Sequence, residues 1–350
     1  QTILFAGSED AETIVGSRGD DVLTGQGGDD VLLGGAGRDI LDGGAGNDVL
    51  RGGGMMSGAW IYDGNGAGDT YRFGRGDGHD TIIDDSWIPG ENDRIELKVG
   101  ITPDDVRLER VRSVNGRLVE DSLRLTIRDT GETLTVKNHF DASNRYAMEE
   151  IVFADGTVWN IEAIKNQTLI GEAGNDALRG FNDRNDVIEG GVGNDHLLGL
   201  SGGDTLDGGA GDDLLEGGTG NDTYRFGPGG GQDEIVEGYA SGHDEVELAP
   251  GVTEDNITVR WTLKGGMTIS LTDGSTLTVR NQANPWSNEV GVEQLLFADG
   301  TAWDRTDMAA RALAATPGDD VIIGSYQDDT IDGGAGNDRF HNLGGYDTYR

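Results

Sequence analysis

Acidic side chains recur every nine residues through much of this 350-residue chain. Residues 16–51 divide into four nonapeptides, GSRGDDVLT, GQGGDDVLL, GGAGRDILD and GGAGNDVLR. They share the frame G-G-x-G-x-D-x-U-x, with U a large apolar residue. Position six holds Asp21, Asp30, Asp39 and Asp48; position eight holds Leu23, Leu32, Leu41 and Leu50. A degenerate copy, GSEDAETIV, comes before them with Glu12 in the acidic slot, and Asp69 fills that slot just before a module described below. The frame returns at 171–225 with Asp176, Asp186, Asp195, Asp204, Asp213 and Asp222. It returns again at the C-terminal end with Asp320, Asp329, Asp338 and Asp347. Carboxylates in this density are hard oxygen donors, and the chemistry they offer is cation binding.

The elements that position them follow from the frame. Glycines at positions one, two and four permit positive φ and close backbone approach, so six residues make a tight turn. Positions seven to nine are extended, with one apolar side chain turned inward. A short strand after every turn winds a right-handed coil of two parallel sheets, and repeat i stacks on repeat i+2. Aspartates 18 residues apart then lie one strand spacing, ~4.8 Å, from each other. Carboxylates that close repel unless a cation lies between them. Turn carbonyls complete an all-oxygen cage, which suits Ca²⁺ better than the strictly octahedral Mg²⁺. Counting the stacked pairs, 21/39, 30/48, 176/195, 186/204, 195/213, 204/222, 320/338 and 329/347, predicts roughly eight ions or more. Asp is common in turns for local reasons. Fourteen in-frame copies, each with U two residues after the acid, go beyond that.

Composition agrees. Lys and Arg number 26 against 64 Asp and Glu, a formal net charge of −38. Such a polyanion repels nucleic-acid phosphates and anionic membrane surfaces, and it opposes compaction until cations neutralise it. Glycine, 61 residues, is far above its usual level of about 7%. The chain has no cysteine, which excludes disulfides, zinc thiolates and thiol nucleophiles. No apolar run reaches the ~18 residues of a membrane-spanning helix, so no membrane insertion is expected. Glu9, Asp10, Glu12 and Asp20 make residues 1–20 unlike a signal peptide.

The nonapeptides resemble the RTX family, the haemolysin-type calcium-binding repeats. The resemblance implies a calcium-binding β-roll and secretion through a type I system, with a C-terminal signal not seen in this sequence. Two longer segments match each other, each opened by DTYRFG, at 69–74 and 222–227. They resemble the accessory domain found between repeat blocks in large RTX proteins. Their pattern is β: Leu123, Leu125 and Ile127 alternate before Leu134 and Val136, and Met267, Ile269 and Leu271 before Leu277 and Val279. Each carries an FADG turn, at 153–156 and 297–300. Asp307–Ala315 is the clearest helix, with Thr306 or Asp307 as N-cap. Asp80, Asp93, Asp233 and Asp244 precede apolar residues by two, as if the roll continued under each module, and they are further candidate ligands.

The expected architecture is all-β: parallel β-roll blocks alternating with small β-rich modules. Block one spans 1–72, module one 73–166, block two 167–225, module two 226–315 and block three 316–350. Gln1-Thr2 matches Gln167-Thr168, and 347–350 matches 69–72. A segment of a longer array is therefore expected, with block three continuing beyond the chain.

Catalysis finds little support. None of His79, His139, His196, His243 and His341 sits in a catalytic motif, and GLSGG at 199–203 is an in-frame repeat, so Ser201 is not read as a nucleophile. Trp159 and Trp303 share a repeat position and read as module core. Trp60, Trp87 and Trp286 have no repeat partner, so a glycan is a candidate ligand, and the insertion 52–63 around Trp60 breaks the frame. The expectation is a secreted, non-enzymatic structural segment that folds and rigidifies on Ca²⁺, in an adhesin, surface layer or filament, with neighbouring copies as candidate partners. The alternatives are a regulatory or secretion-assisting region of a larger toxin or enzyme, and a glycan-binding adhesin.

Overall fold

The computed structural model describes residues 3–56, 59–61, 68–84, 92–115, 118–141, 148–238, 242–282 and 291–350. They form two compact units, residues 1–168 and 169–350. In the first unit, strands pair in parallel at the offset the repeat dictates. Val22 lies opposite Ile40 and Val31 opposite Val49, so consecutive nonapeptides alternate between two sheets. After Arg51 the nonapeptide spacing stops but the pairing does not. Thr70–Phe73 adds to Ile40–Ala45, and Arg94–Leu97 adds to Thr70–Phe73. On the other sheet His79–Ile82 adds to Val49–Arg51, and Thr133–Val136 adds to His79–Ile82, all in parallel. Antiparallel strands extend these sheets at the far end: Leu118–Ile127 beside Thr133–Val136, Val106–Asn115 beside Leu118–Ile127, and Val158–Asn160 beside Glu150–Val152; a separate antiparallel pair, Gly54–Met56 with Ala59–Ile61, stands in the insertion that breaks the frame. The module is thus hydrogen-bonded onto the roll as its continuation.

Position eight builds the core as two stacks. Leu23, Leu41, Tyr71, Ile95 and Ile151 face one another through successive registers of one sheet. Ile14, Leu32, Leu50, Ile82 and Val136 do so in the other. All are 2% exposed or less. One position-eight side chain per nonapeptide turns inward, two per coil, so burial is as periodic as the sequence.

The second unit repeats the plan. Ala177–Arg179, His196–Ser201, Leu214–Thr219, Gln232–Ile235 and Thr276–Val279 run parallel in one sheet before the antiparallel Met267–Leu271 and Ile257–Trp261. The hairpin register sets Met267 opposite Val279 and Ile269 opposite Leu277, as the alternation predicts. Val187–Val192, Thr205–Ala210, Thr223–Phe226, Glu245–Leu248 and Gln294–Leu296 form the other sheet. Residues 321–349 give two short parallel pairs with the same 18-residue offset.

The helix differs from the sequence expectation. It runs Arg305–Ala312, and Asp304 is its N-cap, accepting the Asp307 N–H at 2.9 Å. Asp304 ends the strand Ala302–Asp304, and its carboxylate and that of Asp307 cap reciprocally, which fixes the start two residues early. A counterpart, Ile161–Gln167 capped by Asn160, stands at the same place in the first unit.

Glycine has two separate roles in the turns. At positions two and four it takes positive φ, as at Gly35 (+112°) and Gly37 (+126°). At position one the φ is ordinary but there is no room: a Cβ on Gly25 would lie 2.2 Å from both Asp30 Oδ2 and the Gly43 carbonyl one coil on. Gly209 combines both constraints, with φ +92° and the Gly191 carbonyl 2.1 Å from where a Cβ would stand, whereas Gly274 (φ +98°) has open space. Gly274→Ala is therefore expected to cost about 1–2 kcal/mol, the left-handed penalty alone. Gly209→Ala should cost at least about twice that, measured by urea unfolding in saturating calcium; equal losses would mean that coil-to-coil contact does not set the glycine requirement.

Candidate metal centre

Each position-six acid joins two coils. The Asp21 N–H donates to Asp39 Oδ1 at 2.8 Å, Asp39 N–H to Asp69 Oδ1 at 2.8 Å, and Asp69 N–H to Asp93 Oδ1 at 2.6 Å. Glu149 Oε2 closes this series by accepting the Asp93 N–H at 2.8 Å. On the opposite turns Glu12 donates to Asp30, Asp30 to Asp48, and Asp48 to Asp80, at 2.7–2.9 Å. The second unit has the same pair of ladders. One runs 176, 195, 213, 233; the other runs 186, 204, 222, 244 and ends on Glu293. Asp338 and Asp347 accept in the same way from Asp320 and Asp329. All nineteen acids named from the sequence thus belong to ladders, including Asp80, Asp93, Asp233 and Asp244. Glu149 and Glu293 escaped sequence reading because each follows its predecessor by about fifty residues, at the far side of a module.

Position five, variable in the frame, carries a second ladder of opposite direction. Asp20 Oδ1 accepts from the Arg38 N–H, Asp29 from Asn47, Asn194 from Asp212 and Asn221 from His243, at 2.9–3.1 Å. The recurrence of Asp or Asn at that position was the available signal.

The ladder uses one carboxylate oxygen of each acid. The second Oδ of Asp30, Asp48, Asp80, Asp195, Asp204, Asp213 and Asp222 is buried and has no hydrogen-bond partner. These residues are 3% exposed or less. An ionised oxygen left that way costs several kcal/mol. Burial accordingly pushes the carboxyls up: Asp48 and Asp204 to about 6, Asp222 and Asp233 to about 7, Asp80 to about 8. Desolvation is the largest cause in each, with neighbouring carboxylates adding repulsion. A row of bare, buried carboxylate oxygens beside turn backbone fits a hard divalent cation.

The opening coil of every block is different. Here position two carries a side chain, and its N–H donates to the second oxygen of the acid in the same turn. The pairs are Ser8 to Glu12, Ser17 to Asp21, Glu172 to Asp176, Phe181 to Asp186, Thr316 to Asp320 and Ser325 to Asp329, at 2.5–2.9 Å. Arg184 also pairs with Asp186, at 2.6 Å. In most later repeats position two takes positive φ, even as Gln26 (+77°) and Leu200 (+88°), and its N–H is used elsewhere: Gly35 donates to the Gly52 carbonyl. Residue type alone does not separate the two classes; place in the block does.

Trp159 and Trp303 pack edge-on to Phe153 and Phe297, at 4.7 and 4.8 Å, in the module cores. Trp87 and Trp286 lie outside the described residues, as do Gln1, Thr2 and the side chain of Trp60. Ser201 ends a strand with its hydroxyl 3.1 Å from that of Thr219. Among the described residues no helix is long and apolar enough to cross a membrane.

Comparison with known proteins follows this geometry. The RTX calcium-binding nonapeptide repeat matches at 6–41, 27–54, 165–197, 182–214, 189–224, 198–233 and 315–349, and the haemolysin-type calcium binding protein related domain at 123–163. A 126-residue stretch is 35% identical to the iron-regulated protein FrpA of Neisseria meningitidis serogroup C, covering 35% of this chain; it spans about a tenth (10%) of that relative's length. Among solved structures, the AlgE6R3 subunit of Azotobacter vinelandii mannuronan C5-epimerase is 24% identical over 37% of this chain and 82% of its own, with a TM-score of 0.28. The extracellular lipase LipA of Serratia marcescens is 18% identical over 80% of this chain and 38% of its own, with a TM-score of 0.26. Nonapeptide frame, coil register and family matches agree that this chain is a calcium-binding protein of RTX nonapeptide repeats, with a haemolysin-type calcium-binding related domain between its first two repeat blocks.

Proposed function

We propose that the chain is an extracellular structural segment whose fold is completed by calcium. The observation that carries this reading is the row of buried, unpartnered carboxylate oxygens at one strand spacing. Asp30, Asp48, Asp80, Asp195, Asp204, Asp213 and Asp222 hold the ions, and Asp39, Asp69, Asp93, Asp233, Asp244, Asp338 and Asp347 stand on the same rungs. Calcium supplies the positive charge that lets all of them stay ionised. In the opening coils Asp21, Asp176, Asp186, Asp320 and Asp329 act as backbone caps, and ion binding starts one coil later.

Where calcium is scarce, the charge of −38 keeps the chain expanded and able to be exported. Outside the cell, calcium binds only the native state and drives folding by linkage. The result is a stiff unit suited to an adhesin, a surface layer or a filament, and secretion by a type I system fits the family. The open edge strand Leu4–Ala6, with Leu4 82% exposed, is a place where a neighbouring copy can add.

Far-UV circular dichroism of the chelator-treated chain should show a cooperative coil-to-β transition with Ca²⁺ and not with Mg²⁺. A chain already folded in chelator and indifferent to calcium overturns the reading. Asp204→Asn keeps the ladder oxygen and neutralises the bare one, so it should lower the number of bound Ca²⁺. Asp176→Asn should leave that number unchanged and cost about 1 kcal/mol through its cap; isothermal titration with calorimetric melting separates the two.

Protons can replace calcium in part. Carboxyls whose folded values are raised contribute stability that is fully present below the unfolded value, about 4, and lost as pH rises through the folded values. Those lie at about 6 to 8 for Asp48, Asp204, Asp222, Asp233 and Asp80. The calcium-free chain should therefore hold more β structure at about pH 5 than at about pH 8. Dichroism in chelator across that range checks the sign, and calcium should abolish the difference.

A further inference from the structure

Where the roll passes into the second module, three carboxylates converge that do not belong to one turn. Asp222 ends block two, Glu237 follows the strand Gln232–Ile235, and Asp244 precedes Glu245–Leu248. One oxygen from each lies within 4.8 Å of the others, and the three residues are 0%, 4% and 0% exposed. Glu237 is in no nonapeptide slot. Its Oε1 accepts the hydroxyl of Tyr224, which in turn accepts the Gly217 N–H at 2.8 Å. Tyr224 occupies position eight, where most repeats place an aliphatic side chain, so the core there carries a hydroxyl aimed at a buried acid. Glu237 Oε2 and Asp222 Oδ2 have no hydrogen-bond partner.

The first unit repeats the tyrosine–acid pair beside the ladder with different residues. Asp69, Asp84 and Asp93 are 3%, 2% and 4% exposed. Tyr71 donates its hydroxyl to Asp84 Oδ2 at 3.2 Å and accepts the Gly52 N–H at 2.8 Å. Tyr71 precedes Asp84 by 13 residues, as Tyr224 precedes Glu237. Asp and Glu exchange while burial, tyrosine and both ladder acids stay, which is what a required carboxylate looks like.

We propose that Asp222, Glu237 and Asp244 form a side-chain-built divalent-cation site of its own kind at the junction of roll and module in the second unit. Three carboxylates with no nitrogen or sulfur donor select a hard ion, and Ca²⁺ exchanges its waters for such a set more readily than Mg²⁺. Burial and the facing acids Asp244, Asp222 and Glu293 raise the Glu237 carboxyl to about 9. The ion would tie the segment after the roll to the last complete coil. The proposal shares Asp222 and Asp244 with the ladder and so rests partly on the reading above.

The test uses the full chain and calcium alone. Glu237→Gln is isosteric with the protonated acid. If a cation occupies the cluster, the substitution should weaken one site by at least about tenfold, seen as one fewer ion at limiting calcium. An unchanged ion count for a folded Glu237→Gln, with Asp204→Asn still losing an ion, overturns this site and leaves the ladder reading intact; no loss in either variant overturns both. Should Glu237→Gln fail to fold, Tyr224→Phe keeps all three carboxylates. With Tb³⁺ as probe, it should retain the ion count yet lose part of the tyrosine-sensitised emission, and unchanged emission overturns the proposal.

Discussion

The structure depends on one hydrogen bond repeated coil after coil: a backbone N–H given to the carboxylate of the acid one full coil later. It stacks the turns as the sheet ladder stacks the strands, and it does so with a side chain that is charged. Because that N–H satisfies only one oxygen, the stacking bonds to Asp30, Asp48, Asp195, Asp204, Asp213 and Asp222 each leave a second oxygen in the dry turn. The requirement for a cation is therefore built into the device that holds the coils together. The same geometry explains position one, where glycine is required although its φ is ordinary. The space a Cβ would take is already filled by the acid's own carboxylate and by a carbonyl of the next coil.

Opening coils show how the device starts. There a residue with a side chain at position two keeps ordinary φ and directs its N–H to the acid of its own turn. Both oxygens of Asp21 are then used, by Ile3 and Ser17. One coil further the φ of position two reverses, that N–H is used elsewhere, and the carboxylate oxygen is bare. The acids of one frame thus divide into caps and ligand candidates by local backbone conformation, at identical position in the repeat.

Much of this was legible in the sequence, for physical reasons. Apolar position eight and acidic position six recur at nine because each must meet its copy one coil away, so Leu23 opposite Leu41 and Asp21 beside Asp39 could both be written from spacing alone. The hairpins 118–136 and 267–279 were legible from period-two alternation. What escaped had no period to announce it. Glu149 and Glu293 finish ladders across long intervals, Asp84 and Glu237 occupy no slot, and the opposite ladder at position five hid behind a residue the frame leaves free. The helix at Arg305 starts early because Asp304, a strand end, also serves as its cap, a choice only the fold reveals.

The modules make sense as the closing counterpart of the opening coils. A parallel roll could continue indefinitely, and its last carboxylates would be left without a coil beyond. In both units one ladder is passed to a glutamate immediately before a strand that pairs antiparallel on its other side: Glu149 precedes Glu150–Val152, with Glu150 opposite Asn160, and Glu293 precedes Gln294–Leu296, with Gln294 opposite Asp304. Arg305, at the start of the helix, then supplies Glu293 with a counter-charge at 2.5 Å. The antiparallel strands end the parallel pairing while the glutamate ends the charge ladder. Roll and module are therefore one electrostatic and hydrogen-bonded system within each unit. A cation bound anywhere along a ladder stabilises the coil stack on which the module's own strands are laid.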